Sequence, residues 1–198
     1  MRARMAIAVS GQQVEFREVI LKDKPPSMIE LSPKGTVPVL FLSSGQVIDE
    51  SLDVIDWALN LNDPDKWLRS NKSDKSLKLI HKNDNEFKYH LDRYKYSKRY
   101  ENQDPLIHRE KCMIFIDELE RQLNSSQFLY DNKISALDIS ILPFIRQFRI
   151  ADMDWFDSLE KPNIQNWLIK FLESKLFKSI MIKYEKWEEG DKKIFFPN

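Results

Sequence analysis

Ser32-Pro33-Lys34-Gly35-Thr36-Val37-Pro38-Val39-Leu40, followed shortly by Val47-Ile48-Asp49-Glu50-Ser51, is the stretch that decides how this chain is read. Val37 to Leu42 is an unbroken apolar run, consistent with a strand buried on both faces. Ser43-Ser44-Gly45 supplies a turn and Gln46-Val47-Ile48 resumes as a short strand, so the two form a hairpin. From Glu50 onward Leu52, Ile55 and Leu59 fall at helical spacing, and Asn62-Asp63-Pro64 ends the helix. A proline at the start of a buried strand removes a ladder donor. Two readings of Pro38 stand side by side. A cis Val37–Pro38 bond would turn the Val37 amide and carbonyl outward, where an extended peptide can pair with them. A trans proline opening an edge strand is the commoner arrangement. Glu50-Ser51 sits where strand becomes helix, and free N–H groups there attract a carboxylate to which a serine hydroxyl can add a hydrogen bond. Ordinary capping is the commoner explanation of such a pair taken alone.

Working outward, Val14 to Val19 alternates apolar and polar residues, the period of a half-buried strand. Before it, residues 1–9 read as a helix with Met5, Ala8 and Val9 on one face and Gly11 as its stop. No capping residue precedes that helix, and a helix feeding a strand ordinarily packs on a sheet begun earlier. The expectation is therefore that the first strand, and whatever loop it carries, lies upstream of Met1. After Pro64 the strand signals cease. A long helix is expected over 74–99, with Leu77, Ile80, Phe87, Leu91 and Tyr94 near one face. Others are expected from Asp104-Pro105 to Leu123, from Ser135, after Lys161-Pro162, and, more weakly, ending near Trp187. The chain thus divides into an α/β unit over 1–62 and an all-helical unit over 73–198.

Composition narrows the classes of function. In 198 residues, 42% are hydrophobic and 31% charged, enough for a sizeable core beneath a solvated surface. Lys plus Arg and Asp plus Glu both number 31, so the basic excess of a nucleic-acid binder is missing. The single cysteine, Cys112, rules out an internal disulfide and a thiolate zinc site. No apolar run reaches the ~20 residues of a membrane span and no signal peptide is present, so a cytoplasmic protein without a membrane partner is expected. Four glycines against five Trp, six Tyr and twelve Phe favour packed helices over a glycine-rich sandwich.

Taken together, Leu21-Lys22-Asp23-Lys24-Pro25, the 32–40 stretch and Val47 to Ser51 resemble the thioredoxin-like N-terminal domain of glutathione S-transferases. The order S-P-x-G-x-V-P-x-L and then E-S is the specific part. Ile134-Ser135-Ala136-Leu137-Asp138-Ile139 is similar to the box that opens the central helix of the family's helical domain. In physical terms Ser135 caps, Asp138 at the third helical position reaches back, and Ile134 with Ile139 makes a hydrophobic staple. Where the family commonly carries glycine shortly before, Asp131 stands, which can adopt a left-handed turn.

The resemblance implies a fold of α/β plus all-α type and glutathione as co-substrate, without a metal. Val37 would bind the cysteinyl backbone through its main chain, and Pro38 would set that geometry. Glu50 and Ser51 would hold the γ-glutamyl end. Lys24 resembles the lysine that omega-like members use for the glycyl carboxylate, though it could equally be one of many solvated lysines. With the Arg2/Arg4 helix, Lys24 points to the omega-like, cysteine-type branch, in which the thiol-activating residue would lie upstream of Met1. The implied activity transfers glutathione to, or reduces with it, a hydrophobic electrophile or disulfide, and a homodimer is a family expectation. The alternative is a non-catalytic interaction protein of the same fold, for which Glu50-Ser51 would serve no purpose.

Three further features read as packing or surface. Cys112 lies in an apolar helical run, where a thiol behaves as a small hydrophobe. His81, His90 and His108 show neither triad-like nor metal-like spacing and read as surface residues. Tyr89, Tyr94, Tyr96 and Tyr100 cluster on the helix that in this family lines the acceptor pocket. Stacking on an electrophile is one use for them, and packing is the commoner one.

Overall fold

The computed structural model describes residues 1–197, with the backbone alone at Lys72. In chain order the elements are α1 (Arg2–Ser10), β1 (Val14–Phe16), α2 (Pro26–Leu31), β2 (Leu40–Phe41), β3 (Val47–Ile48) and α3 (Ser51–Leu61). Then come α4 (Asp74–Lys82), α5 (Lys88–Lys95), α6 (Pro105–Leu123), α7 (Ala136–Ala151), α8 (Met153–Asp157), α9 (Pro162–Leu172), α10 (Lys175–Ile180) and β4 (Ile194–Phe196). They form two compact units, one of residues Met1–Lys66 with Lys175–Asn198, the other of Trp67–Ser174.

The first unit mixes helix and strand. Helix α1 ends at Gly11, whose left-handed φ of 69° lets its N–H reach the Ile7 carbonyl. Its buried side is Ala3, Met5, Ala6, Ile7 and Ser10, so Ala8 and Val9, expected inward, are only half-covered. That side packs on Val54, Ile55, Ala58 and Leu59 of α3, and the small alanines let the two backbones approach. The continuous apolar run from Val37 is not a strand buried on both faces. Only Leu40 and Phe41 pair, with Ile48 and Val47 respectively, and Phe41 is 56% exposed. Among the described residues β2 has β3 as its one ladder partner, which makes it an edge strand rather than a central one.

The chain's last 24 residues were expected in the helical unit and instead belong to the first. Helix α10 ends at Ile180, and beyond it the chain toward Trp187 is irregular rather than helical. Strand β4 pairs antiparallel with β1, setting Val14 against Phe196 and Phe16 against Ile194. Upstream of β4, the Trp187 N–H donates to the Glu18 carbonyl at 2.9 Å, Arg17 stacks over the Trp187 ring at 4.4 Å, and Tyr184 meets Phe16 at 4.8 Å. Arg4 ties α1 to this layer through Glu18 at 2.7 Å and the Phe16 ring at 4.4 Å. Sequence periodicity is blind to such a return of the chain, because no local pattern encodes a partner so distant.

The second unit is all helical. The single helix expected over 74–99 is divided: α4 passes through a widened π turn at Asn83–Phe87 into α5, and a 3₁₀ turn at Ser97–Arg99 closes it. Ile80, Phe87 and Leu91 are buried as expected, whereas Leu77 is 51% exposed. Phe87 packs on Phe115 and Phe148, with ring centres 5.1 and 5.7 Å away, near the middle of the core. Helix α6 begins as read, with the Asp104 carboxylate accepting from the Leu106 N–H at 2.8 Å and Pro105 in the first turn. Helix α9 opens at Pro162.

Ser135 and Asp138 form a capping box at the start of α7. Asp138 is fully buried and accepts from Leu129 N (2.8 Å), Ser135 N (2.9 Å), Ser135 Oγ (2.8 Å) and Trp167 Nε1 (3.0 Å). It thus ties the preceding loop and α9 to the first turn of α7. Burial pushes its carboxyl up from the ordinary range despite those donors. Asp131 does not take the left-handed turn: among the described residues only Lys66 and Asn102 combine a side chain with positive φ. Its carboxylate instead accepts Arg69 in a two-point grip at 2.9 and 2.7 Å, and that guanidinium holds it below the usual range.

Candidate functional site

The turn Ser32–Gly35 closes with the Gly35 N–H on the Ser32 carbonyl at 3.0 Å, and Gly35 has φ 59°. A β-carbon there would sit 3.3 Å from Ile29 Cδ1 and 3.9 Å from Lys24 Cδ, so the left-handed, crowded position suits glycine alone. The same observation puts the Lys24 stem against this turn. Two side chains then pin the turn to the end of the β3 strand. Buried Ser32 donates through Oγ to Asp49 Oδ2 at 2.7 Å, and Lys34 Nζ donates to Asp49 Oδ1 at 3.0 Å and Glu50 Oε1 at 2.8 Å. Ser32 first and Lys34 second hold the Asp49 carboxyl below its usual range.

This cross-link sets Val37 and Ser51 at the same end of the hairpin. Val37 lies three residues before the Leu40–Ile48 pair and Ser51 three residues after it, beyond the open end of the hairpin. Val37–Pro38 is cis. Val37 is 48% exposed, and among the described residues its main chain makes no hydrogen bond. Glu50 has extended backbone and precedes α3, and Ser51 is the first helical residue. The first N–H groups of α3 lack intrahelical acceptors and lie at the positive end of its dipole. Arg2, only 7% exposed, donates from Nη1 to Ser51 Oγ at 3.4 Å. With that lone pair taken, the Ser51 hydroxyl hydrogen is left to donate to an incoming acceptor.

The corner therefore offers an anion-favouring helix start with a serine donor and a buried guanidinium, a carboxylate beside it, an unengaged backbone edge and a nearby lysine. Lys24, Val37, Pro38, Glu50 and Ser51 are the residues the sequence singles out in this unit. Ser32 and Lys34 carry no such signal, and Arg2 enters the sequence reading only with Arg4 as a mark of the branch. Ser32 and Lys34 lie inside the diagnostic stretch, yet their partners sit seventeen and fifteen or sixteen positions on, visible only once the hairpin register is known.

In the second unit, Cys112 has no exposed surface, lies 3.9 Å from the Phe87 carbonyl, and burial pushes its thiol up to about 12. Such a thiol neither ionises nor meets a substrate at neutral pH. The histidines differ from the surface reading in one respect. His90 on α5 and His108 on α6 meet, Nδ1 to Nδ1, at 2.8 Å, and His108 Nε2 lies 2.9 Å from Gln103 Oε1. An amide oxygen only accepts, so His108 carries its proton on Nε2 and His90 Nδ1–H donates to the bare His108 Nδ1. Among the described residues no third imidazole, thiolate or carboxylate completes a metal-binding group. The tyrosines pack or pair: Tyr94 against Phe148 at 5.7 Å, Tyr89 and Tyr100 with Arg93 at 3.5 and 4.5 Å, and Tyr96 with Arg99 at 4.2 Å.

Comparisons with known proteins bear on the first domain and on the fold. Residues 1–66 match the family model described as glutathione S-transferase, N-terminal domain. A probable glutathione S-transferase, MSR-1, of Nicotiana plumbaginifolia is 24% identical over 151 residues, 75% of this chain and 68% of that protein. Among solved structures, the ternary complex of BphK, a bacterial glutathione S-transferase, superposes with a TM-score of 0.76 over 91% of this chain and 92% of its own, at 16% identity. A Gtt2-class glutathione S-transferase of Vibrio parahaemolyticus gives 0.73 over 90% of both chains at 18% identity. A glutathione transferase family member from Pseudomonas fluorescens, solved with two glutathione molecules bound, gives 0.75 over 92% of this chain and 88% of its own at 13% identity. The fold is a thioredoxin-like N-terminal domain with a mostly helical C-terminal region.

Proposed function

We propose that this chain, a glutathione S-transferase-like protein by its first domain and its fold, binds glutathione at the corner where Val37 meets the start of α3. The observation that carries the reading is the helix start itself, where the Ser51 hydroxyl keeps its hydrogen free while the buried Arg2 guanidinium occupies its lone pair. That arrangement suits the γ-glutamyl carboxylate, and the first N–H groups of α3 complete its acceptors. Glu50 takes the adjacent ammonium. The exposed N–H and C=O of Val37 pair with the cysteinyl backbone as an added strand would. Lys24, a mobile point charge half-buried against the turn, faces the glycyl carboxylate.

With the tripeptide so held, two reactions are open to its sulfur. In one, the thiol gives up its proton and its sulfur bonds to a carbon electrophile as the leaving group departs. In the other, the thiolate attacks one sulfur of a disulfide and the second sulfur leaves as a thiolate. The acceptor is a hydrophobic electrophile or a disulfide, and no described residue is assigned the activation of the thiol. The omega-like, cysteine-type branch, a cytoplasmic location and a homodimer belong to this proposal.

The test is calorimetric titration of glutathione into the wild type and Ser51→Ala, followed by turnover assays with a generic aromatic electrophile and a mixed disulfide. Saturable binding weakened by the substitution supports the reading. Binding with no turnover on either acceptor makes the chain a glutathione-binding interaction protein. Absence of binding removes the site.

A further inference from the structure

Lys34 already puts an ammonium where the proposed ligand would bring one. Its Nζ lies 2.8 Å from Glu50 Oε1 and 3.0 Å from Asp49 Oδ1, the contacts a ligand's primary ammonium would seek. The two carboxylates are unequal partners. Asp49 is also held by the buried Ser32 hydroxyl and is 24% exposed, whereas Glu50 is 62% exposed and holds only Lys34 among the described residues. Lys34 is itself half in solvent, and a pair so exposed is held weakly.

We propose that Lys34 is a resident counter-cation of the ammonium subsite, which a ligand's α-ammonium must displace from Glu50 while Lys34 stays on Asp49. This rests on the glutathione reading above and adds a consequence for selectivity. The ligand's ammonium exchanges one ion pair for another and gains little. The wild type therefore distinguishes poorly between glutathione and a form of it whose α-amine is acylated. Removing the Lys34 charge vacates the seat without freeing the turn, because the Ser32–Asp49 hydrogen bond remains.

The experiment measures dissociation constants of glutathione and N-acetylglutathione for the wild type, Lys34→Met, Lys34→Gln and Lys34→Arg. Titrations are run at low salt, with circular dichroism melts to check folding. Both ligands carry two carboxylates, so the effect of the neutral variants on those groups cancels in the ratio of the two constants, and what remains is their effect on the α-ammonium. The preference for glutathione should rise about two- to five-fold in Lys34→Met and Lys34→Gln, the range spanned by exposed ion pairs, and stay at the wild-type value in Lys34→Arg. Two neutral variants guard against one failing to fold. An unchanged or reduced preference, with glutathione still bound by the wild type, overturns the role of Lys34 and leaves the site standing. If no variant and no wild type binds either peptide, the glutathione reading falls and this inference falls with it.

Discussion

His90 Nδ1 and His108 Nδ1 lie 2.8 Å apart and share one proton across the α5–α6 contact. Burial lowers both imidazoles from their usual value. For His90 the charges of His108, Lys111 and Arg93 add to it against Glu86, and for His108 Arg93 adds to it against Asp104. A first added proton can settle on His90 Nε2 and keep the bond. A second, on His108 Nδ1, sets two N–H groups against each other.

The pH dependence follows in sign. Because the folded values lie below the unfolded value near 6.5, the pair's contribution is fully present above that pH. It is lost as the pH falls through the lowered folded values. Thermal melts from pH 7.5 down to 5 should show the melting temperature falling below about pH 6.5, and a His90→Gln/His108→Gln variant should flatten that part of the profile. Parallel profiles for the two proteins would show that the histidines are not coupled to folding.

Asp138→Ala should destabilise the helical unit by about 2–5 kcal/mol, since it strands the Leu129 and Ser135 amides and the Trp167 indole N–H in a dry interior. Urea denaturation followed by tryptophan fluorescence reads this directly. The acid response of Asp138 runs opposite to that of the histidines. With its carboxyl raised, its contribution is full below the unfolded value and declines as pH rises through the folded one. A loss under 1 kcal/mol would mean that water replaces the carboxylate.

Ser51→Ala should weaken glutathione binding by about 1–3 kcal/mol, the worth of a hydrogen bond to a charged group, while leaving the melting temperature nearly unchanged. Equal affinities by calorimetry would retire Ser51 as a ligand.

Cys112 should resist a disulfide-based thiol reagent in the native protein and react at once in denaturant, because it is enclosed beside Phe87 and its thiol is raised to about 12. Rapid native labelling would show that the helical core opens far more readily than its packing implies.

Phe196→Ala should cost the first unit about 3–5 kcal/mol. Its ring is 3% exposed and lies 5.9 Å from that of Phe16, so truncation leaves a hole beneath β1. Hydrogen exchange at Val14–Phe16 measures the effect locally, and protection unchanged there would mean that the pairing does not depend on this anchor.

How far the sequence could be read depended on range. Helix starts at Asp104, Ser135 and Pro162 were legible because a cap or an opening proline acts within a few residues of its partner. The hairpin turn at Gly45 was legible for the same reason, whereas the sequence around Pro38 left cis and trans both open and the structure shows cis. The half-exposed β2 strand was misread because apolarity alone does not say how many neighbours a strand will find. The π turn at Asn83–Phe87 shifts the buried face by only a fraction of a turn, too little for apolar spacing to reveal. Long-range partners were invisible: Lys34 with Glu50, His90 with His108, and the return of the chain's last strand.

That last pairing has a consequence for biosynthesis. Residue 14 leaves the ribosome early, but its ladder partner is residue 196. At a translation speed of about 5–20 residues per second the first strand waits roughly 10–40 s for it. The segment 67–174 is contiguous and has all its own contacts to hand, so it can fold while synthesis continues. The β1–β4 ladder can therefore close only after residues 194–196 have been made, whatever the rest of its unit does earlier. During that interval the nascent β1 strand is without its ladder partner and presents an unpaired edge to other chains.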